Sequence, residues 1–106
     1  MYEFGPFQLS TRSWTLKYKD RPLHISKFEF VLLLEFLEHP QTIIPQASLL
    51  GRVWPLDRQG GERALAVYVY RLNQILSDAT KPTRYIRNVR KKGYEFQSSV
   101  KTSSSM

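Results

Sequence analysis

The side chains best suited to contact a partner lie in residues 63–76. Helical spacing groups a varied set of them on one side: Arg63, Val67, Tyr70 and Gln74, flanked by Ala66, Arg71 and Asn73. Guanidinium groups bind anions through two parallel hydrogen bonds, and amides offer a donor beside an acceptor. Tyrosine and valine add apolar surface. Such groups can grip or read a partner surface. An ordinary amphipathic helix with a solvated outer face is the alternative interpretation.

The other side of the same segment is apolar. Its residues Leu65, Val69, Leu72 and Leu76 follow the i, i+4, i+7, i+11 spacing of one narrow helical stripe. A stripe of this kind faces a hydrophobic core. The spacing therefore predicts a helix over about residues 62–76, with its polar face held away from the core.

Positive charge is concentrated in one third of the chain. The 106 residues have a formal net charge of +7 and a pI of about 9.9. Between Arg58 and Lys92, nine basic residues face only two acidic ones, so this segment holds the whole excess. The net charge favours a polyanionic partner such as nucleic acid or an anionic membrane surface, and its confinement to one region is the pattern expected of a nucleic-acid-binding face.

Several kinds of chemistry lack the residues that they need. Cysteine is absent, which excludes disulfides and thiolate metal sites. His24 and His39 are isolated, no nucleophile has a base at a recognisable spacing, and no glycine-rich loop is present to cradle a phosphate. We therefore predict no enzyme activity, metal ion, cofactor or small-molecule substrate. Neither a signal peptide nor an apolar run of membrane-spanning length is present, so the chain is expected to be soluble.

The first third of the chain predicts a packing scaffold. Aromatic and branched residues alternate with polar ones between Tyr2 and His24, which indicates short antiparallel strands with one buried face. Ser26 and Glu29 have the spacing of a capping box at the start of a helix. That helix should end at His39, because the residue before a proline is disfavoured in the α region.

A second helix is predicted after the short extended piece 42–44. Pro45 suits its first turn, and the helix should reach Val53 or Trp54. Residues 55–61 contain a proline and two glycines without periodicity, which is typical of a loop. Two helices joined in this way form a helix-turn-helix arrangement, whose second helix can enter a DNA major groove.

The end of the chain predicts a hairpin and a tail. Residues 85–89 and 94–96 have the pattern of two strands joined through Arg90-Lys91-Lys92-Gly93, with the glycine available for a positive φ. The basic tip suits nucleic-acid binding, or it protects an exposed strand edge from pairing. Residues 98–106 are rich in serine and threonine, so we predict a flexible polar tail or the start of a linker after a domain of residues 1–97.

Four motifs occur in order along the chain: Leu23-His24-Ile25-Ser26-Lys27-Phe28-Glu29-Phe30-Val31-Leu32-Leu33, Leu49-Leu50-Gly51-Arg52-Val53-Trp54, Val67-Tyr68-Val69-Tyr70-Arg71-Leu72, and Tyr85-Ile86-Arg87-Asn88-Val89 with Gly93-Tyr94-Glu95-Phe96. In this order and spacing they resemble the winged-helix DNA-binding domain of OmpR/PhoB-type transcription regulators. That family has Leu-x-Leu-Thr-x-x-Glu-Phe-x-Leu-Leu, Leu-Leu-x-x-Val-Trp, Val-His-Ile-x-Arg-Leu and a Gly-Tyr-x-Phe ending. The resemblance implies an α+β fold: a winged helix-turn-helix with an N-terminal antiparallel sheet, three helices and a C-terminal β-hairpin wing.

The wing resembles one branch of these regulators more than the other. Response regulators usually have Thr-Val-Arg-Gly-x-Gly-Tyr there, whereas Asn88-Val89-Arg90-Lys91-Lys92-Gly93-Tyr94 is more similar to the Thr-Val-Pro-Lys-Arg-Gly-Tyr form of ToxR/CadC-like regulators. Those carry the domain at the N-terminus, and many are anchored by a downstream membrane helix. Met1 directly precedes the first strand, which agrees. The resemblance implies a cytoplasmic, nucleoid-associated domain, with any membrane anchor in parts outside this chain.

The resemblance also implies which residues bind duplex DNA, with the helix 62–76 in the major groove and the wing 90–93 on the backbone or in a minor groove. The predicted DNA-binding residues are Arg63, Val67, Tyr70, Arg71, Asn73, Gln74, Arg87, Arg90, Lys91 and Lys92. Val67 would meet a thymine methyl group, and the arginines would meet bases or phosphates. The family often continues Arg-Leu-Arg-Lys-Lys-Leu, but Asn73, Gln74 and Ile75 replace that basic run here. Contacts from an Asn73 or Gln74 amide to adenine are therefore predicted.

The predicted function is sequence-specific binding of double-stranded DNA by a bacterial transcription regulator. The resemblance implies that RNA polymerase contacts the loop, at Leu56, Asp57, Arg58 and Gln59. The alternative is that this loop only connects two helices. The resemblance also implies a homodimer on tandem half-sites. One alternative function is a winged-helix module that binds protein, which the thinned basic run favours. The other is single-stranded nucleic-acid binding, with Tyr68, Tyr70, Tyr85 and Tyr94 as stacking platforms.

Overall fold

The structure is a computed structural model that describes residues 1–53, 61–80 and 85–102, except for the side chains of residues 62 and 78–80. Its strands are β1 (Tyr2–Phe4), β2 (Phe7–Ser10), β3 (Thr15–Tyr18), β4 (Arg21–Leu23), β5 (Ile43–Ile44), β6 (Ile86–Val89), β7 (Gly93–Phe96) and β8 (Lys101–Thr102). Its helices are α1 (Lys27–Glu38), α2 (Gln46–Val53) and α3 (Gly61–Thr80). The predicted fold, a sheet followed by three helices and a hairpin, is confirmed over these residues. Among them, no helix is both long enough and apolar enough to cross a membrane.

The N-terminal strands form the predicted antiparallel sheet. The strand order is β4-β3-β2-β1-β8, and Leu9 of β2 lies opposite both Tyr2 of β1 and Leu16 of β3. Because strand side chains alternate between faces, Phe7, Leu9 and Leu16 share the inner face and are completely buried. The inner face of the sheet therefore covers the hydrophobic core.

Helix α1 begins at the predicted capping box and fills the centre of the molecule. The Ser26 hydroxyl accepts from the Glu29 backbone N–H at 3.2 Å, and the Glu29 carboxylate accepts from the Ser26 N–H at 2.8 Å. Two amide groups that a helix start leaves unpaired are thereby satisfied. The helix packs against both α2 and α3. Its last residue is Glu38, and His39, at the predicted boundary, is the C-cap, whose N–H donates to the Phe36 carbonyl.

Helix α2 also matches its predicted span, but Pro45 lies just before it. The Pro45 carbonyl accepts from the Leu49 N–H at 3.2 Å, so the proline supplies the cap rather than the first turn. Trp54 and the predicted loop after it lie outside the described residues, up to Gly61, which is the first residue of α3.

Helix α3 is longer than predicted. The sequence predicts that it ends at about residue 76, yet the helix continues to Thr80. The Ser77 hydroxyl donates to the carbonyl of Asn73, one turn earlier, so the polar side chain is satisfied within the helix. The sequence contains neither glycine nor proline between Gly61 and Pro82. Polarity alone was therefore a poor signal for the end of this helix.

The C-terminal strands form a second sheet, in the order β5-β7-β6. Phe96 of β7 joins the two sheets, because its ring lies 5.3 Å from Phe4 and 5.9 Å from Tyr85, measured between ring centroids. Phe7 also lies 5.6 Å from Tyr85. Aromatic pairs at these distances add to the stabilisation from burial. This cluster fixes the base of the hairpin to the sheet and α1.

The structure differs from the predicted flexible tail at its first residues. Strand β8 pairs with β1, with Lys101 opposite Glu3 and Thr102 opposite Tyr2, and Val100 packs against the core. The chain therefore covers the otherwise open edge of the N-terminal sheet with its own backbone. The domain boundary at residue 97 stays a prediction, and residues 103–106 lie outside the described part.

Candidate nucleic-acid interface

Helix α3 is oriented by its apolar stripe, as predicted. Leu65, Leu72 and Leu76 are completely buried and Val69 is 6% exposed. The opposite face is therefore turned to solvent, with Val67 47% exposed and Tyr70 64% exposed, although both are large apolar side chains. Arg63, Arg71 and Gln74 are exposed on the same helix. This face presents cations, an amide and apolar groups together.

The wing hairpin presents a second basic surface. Val89 pairs with Gly93, and the Lys92 N–H donates to the Val89 carbonyl at 2.9 Å, which closes a tight turn. All three basic residues of the tip, 90–92, are exposed. The backbone of Lys91 has φ +65°, a left-handed conformation that favours glycine at the third position of such a turn. A lysine therefore occupies a position where its backbone is strained.

A groove separates α3 from the hairpin. Its walls are formed by Ala66, Val69, Tyr70, Asn73, Gln74, Ser77, Ile86, Asn88 and Tyr94. Asn88 is exposed at this groove, although it is not among the DNA-binding residues predicted from the sequence. Strand alternation was the available signal, because Ile86 is buried and its neighbour two residues on shares its face. Tyr70 and Gln74 thus line a concave surface rather than a flat one.

The structure gives Asn73 a role other than the predicted contact with DNA. Its amide nitrogen donates to the Ile86 carbonyl at 2.9 Å, and its amide oxygen accepts from the Ile86 N–H at 3.0 Å. The backbone N–H and carbonyl of Ile86 therefore both have hydrogen-bond partners, and Ile86 is only 1% exposed. The donor and acceptor that would read adenine are therefore used inside the protein. Asn73 ties α3 to the first strand of the wing.

We expect Asn73→Ala to lower the free energy of unfolding by about 2–4 kcal/mol, because it leaves two backbone groups of a buried residue unsatisfied. Gln74→Ala is the matched control: it also removes an amide from α3, but from an exposed site without a backbone partner, and it should change stability by less than about 0.5 kcal/mol. Urea unfolding of both variants provides the measurement. Equal stabilities would show that the Asn73 contacts do not hold the wing.

Arg87 is not brought to the groove. Its guanidinium group lies 2.7 Å from the Glu95 carboxylate, directly opposite on β7. Alternation places Arg87 on the other face of the hairpin from Ile86 and Asn88. The structure therefore does not support the predicted contact of Arg87 with the same DNA surface, and its charge is already partly balanced.

Arg71 is positioned by aromatic side chains. Its guanidinium carbon lies 5.6 Å from the centroid of the Tyr68 ring, a cation–π distance, and the Tyr68 ring lies 5.8 Å from that of Phe28 at the start of α1. Tyr68 is half-buried. An arginine resting on a ring has less freedom to lose when it binds a partner.

The predicted stacking platform for single-stranded nucleic acid is not assembled. Tyr85 and Tyr94 are buried, at 6% and 4% exposure, and Tyr68 packs against the core. Of the four tyrosines proposed, Tyr70 alone is exposed. Successive bases need several exposed rings, so the structure does not favour this alternative.

The predicted polymerase-contact residues Leu56, Asp57, Arg58 and Gln59 lie outside the described residues, and their role stays a prediction. Within residues 1–53, 61–80 and 85–102, no cluster of three or more histidine, aspartate or glutamate side chains is arranged to hold a metal ion.

Comparison with known protein families gives a match over most of the chain. Residues 20–96 match the family described as "Transcriptional regulatory protein, C terminal". The heme response regulator HssR of Staphylococcus epidermidis is 30% identical over 80 residues, which cover 76% of this chain and 35% of that protein. The chain thus spans about a third of the length of this relative.

Solved structures match the fold over nearly the whole chain. The DNA-binding domain of Klebsiella pneumoniae RstA, determined in complex with the RstA box, is 27% identical, with a TM-score of 0.75 over 90% of this chain and 94% of that one. The DNA-binding domain of E. coli CadC has a TM-score of 0.84 over 93% of this chain and 92% of that one. At 20% sequence identity, this likeness shows a shared fold and no more.

Proposed function

The chain belongs to the OmpR/PhoB-type family of transcriptional regulatory protein C-terminal domains, and we propose that it binds duplex DNA sequence-specifically as part of a transcription regulator. The observation that carries this proposal is the placement of α3: its apolar stripe is buried at 0–6% exposure, which leaves the basic and apolar outer face free. A helix exposed in this way fits the major groove. The RstA domain, solved with its DNA box, has the same fold.

The proposed DNA contacts divide between the helix and the wing. Arg63, Val67, Tyr70, Arg71 and Gln74 approach base edges in the major groove, where Val67 can meet a thymine methyl group. Arg90, Lys91 and Lys92 contact the backbone or an adjacent minor groove. Asn73 and Arg87 are left out of this set, because Ile86 and Glu95 already engage their polar groups.

Selection of duplexes from a random library, followed by gel-shift titration, tests the proposal. We expect a defined motif and a binding constant that falls with salt. If the surface neutralises about five to seven phosphates, the slope of log K against log salt should be about −4.5 to −6.3. A slope near zero with no selected motif would contradict DNA binding and favour the protein-binding alternative.

We expect Arg71→Ala to reduce the discrimination between selected and random duplex by about 1–3 kcal/mol, because a bidentate contact to a base would be lost. Lys91→Ala should instead weaken binding to both duplexes alike. Arg21→Ala, an exposed arginine on strand β4, is the control for the charge alone. Equal losses on both duplexes for Arg71→Ala would assign this arginine to a phosphate.

The strained backbone of Lys91 allows stability and charge to be separated. With φ at +65°, alanine is strained there as lysine is, whereas glycine is not. We expect Lys91→Gly to be more stable than Lys91→Ala by about 0.5–1 kcal/mol, while both lose about eightfold in DNA affinity near 0.1 M salt. Thermal unfolding and gel-shift titration measure the two effects. A more stable alanine variant would contradict the left-handed conformation.

A further inference from the structure

Two exposed residues one turn apart on α3 are hydrogen-bonded to each other. Nε2 of Gln74 donates to the Tyr70 hydroxyl at 2.8 Å. Tyr70 is 64% exposed, and both side chains line the groove between α3 and the hairpin. The pair is not needed for packing, because neither residue belongs to the core or to the apolar side chains packed against it. Its place in the groove suggests a use in contact with a partner.

The hydrogen bond leaves the recognition edge of the amide available. A primary amide has two N–H groups and one carbonyl oxygen, so the N–H that points away from Oε1 can serve Tyr70. The other N–H, on the same side as Oε1, then forms a planar donor–acceptor pair with that oxygen. Adenine presents the complementary pair in the major groove, an N7 acceptor beside an N6 donor, whereas guanine presents two acceptors.

Gln74 is also the one α3 amide still available for this contact. Asn73 and Gln74 are the two residues with side-chain amides in the sequence of α3. The donor and the acceptor of Asn73 are both engaged by Ile86 at 2.9 and 3.0 Å. Of the two amides predicted to contact adenine, only that of Gln74 is therefore kept.

We propose that Tyr70 is a positioning residue that holds the Gln74 amide in register for an adenine, so that the pair sets one base preference. This inference rests on the proposed binding of duplex DNA. A free glutamine side chain loses much rotamer freedom on binding, and a bond made beforehand reduces that loss. In water the exposed bond is weak, but DNA that fills the groove displaces water and strengthens it. The effect therefore falls on discrimination between bases and not on folding.

The test compares the wild-type protein with Tyr70→Phe, Gln74→Ala and the double variant. Each is used to select duplexes from a random library and is then titrated with the selected duplex and with versions in which each A·T pair is replaced. We expect Gln74→Ala to lose the preference for one adenine by about 5- to 150-fold. Tyr70→Phe should lower the same preference by about three- to tenfold, and should have less than about a twofold effect once Gln74 is alanine.

Two further measurements separate positioning from structure. Tyr70→Phe should shift the NMR signals of the Gln74 side-chain NH2 group in the free protein, because the acceptor of one N–H is gone. Tyr2→Phe removes a hydroxyl group that donates to Glu38 at 3.3 Å, away from α3, and should leave every base preference unchanged.

Each outcome decides the proposal. A loss at one shared adenine, abolished in the double variant, supports the pair. A wild-type motif that Tyr70→Phe leaves intact, or changes at a different base pair from Gln74→Ala, overturns the pair and leaves DNA binding standing. If the wild-type protein selects no motif while folded, the proposed function itself fails, and the pair with it.

Discussion

Replacing Arg90, Lys91 and Lys92 together by alanine is expected to weaken duplex binding roughly 500-fold at about 0.1 M salt. Each phosphate contact adds about 0.9 to the steepness of log K against log salt. Relative to 1 M salt, where log salt is zero, three lost contacts therefore lower log K at about 0.1 M by about 2.7. The slope itself should become less steep by about 2 to 3. All three residues are exposed at the hairpin tip, so little change in stability is expected. Gel-shift titration over a range of salt concentrations measures both values.

The chain offers a closely matched control for the loss of charge. Lys17, Lys19 and Arg21 are also two lysines and one arginine, all exposed, and they lie in or between β3 and β4. Lys19 has φ +47°, so alanine there meets a backbone similar to that of Lys91. Replacing these three should change the salt slope little. If both triple variants lose affinity equally, net charge and not the wing explains the binding.

We expect Gly93→Ala to destabilise the protein by about 3 kcal/mol or more. A Cβ atom at this position would lie 2.0 Å from the Ile44 carbonyl oxygen and 2.9 Å from the Pro45 Cα atom, so strand β5 would have to move. The φ of +144° adds backbone strain for any residue with a side chain. For a domain of this size, the melting temperature should fall by about 12–24 °C. Differential scanning calorimetry measures the change.

Gly51→Ala is the control for glycine replacement. Gly51 lies inside α2, and a Cβ atom there would meet nothing within 4 Å. Alanine favours the helix over glycine, so a gain of about 0.5–1 kcal/mol is expected. If Gly93→Ala melts at the wild-type temperature, the close approach of β5 and β7 next to the tip of the wing does not exist.

Features set by neighbours in the sequence were predicted well. The capping box of Ser26 and Glu29 needs residues three apart, and both of its hydrogen bonds are present. The outer face of α3 follows from its buried stripe, because helix geometry fixes the opposite side once one side is known. The orientation of Val67 and Tyr70 could therefore be predicted from spacing alone.

Features set by distant parts of the chain were not predictable in this way. Asn73 and Gln74 are adjacent amides, and only the path of β6 decides that Ile86 engages Asn73. Spacing on α3 carries no information about that path. Pairing of β8 with β1 likewise joins the two ends of the chain. Arg87 is an intermediate case, because strand alternation assigns its face, but its ion pair with Glu95 depends on the hairpin register.

We propose that the outer face of α3 and the wing form one continuous surface for duplex DNA. An NMR titration of the ¹⁵N-labelled protein with a selected duplex locates the surface that DNA contacts. We expect the largest shifts at residues 63–74 of α3 and at 88–92 of the wing, with strands β2 to β4 nearly unchanged. Large shifts confined to the N-terminal sheet, or to the surface around His39 and Arg52, with α3 unaffected, would show that DNA does not bind to α3 and the wing.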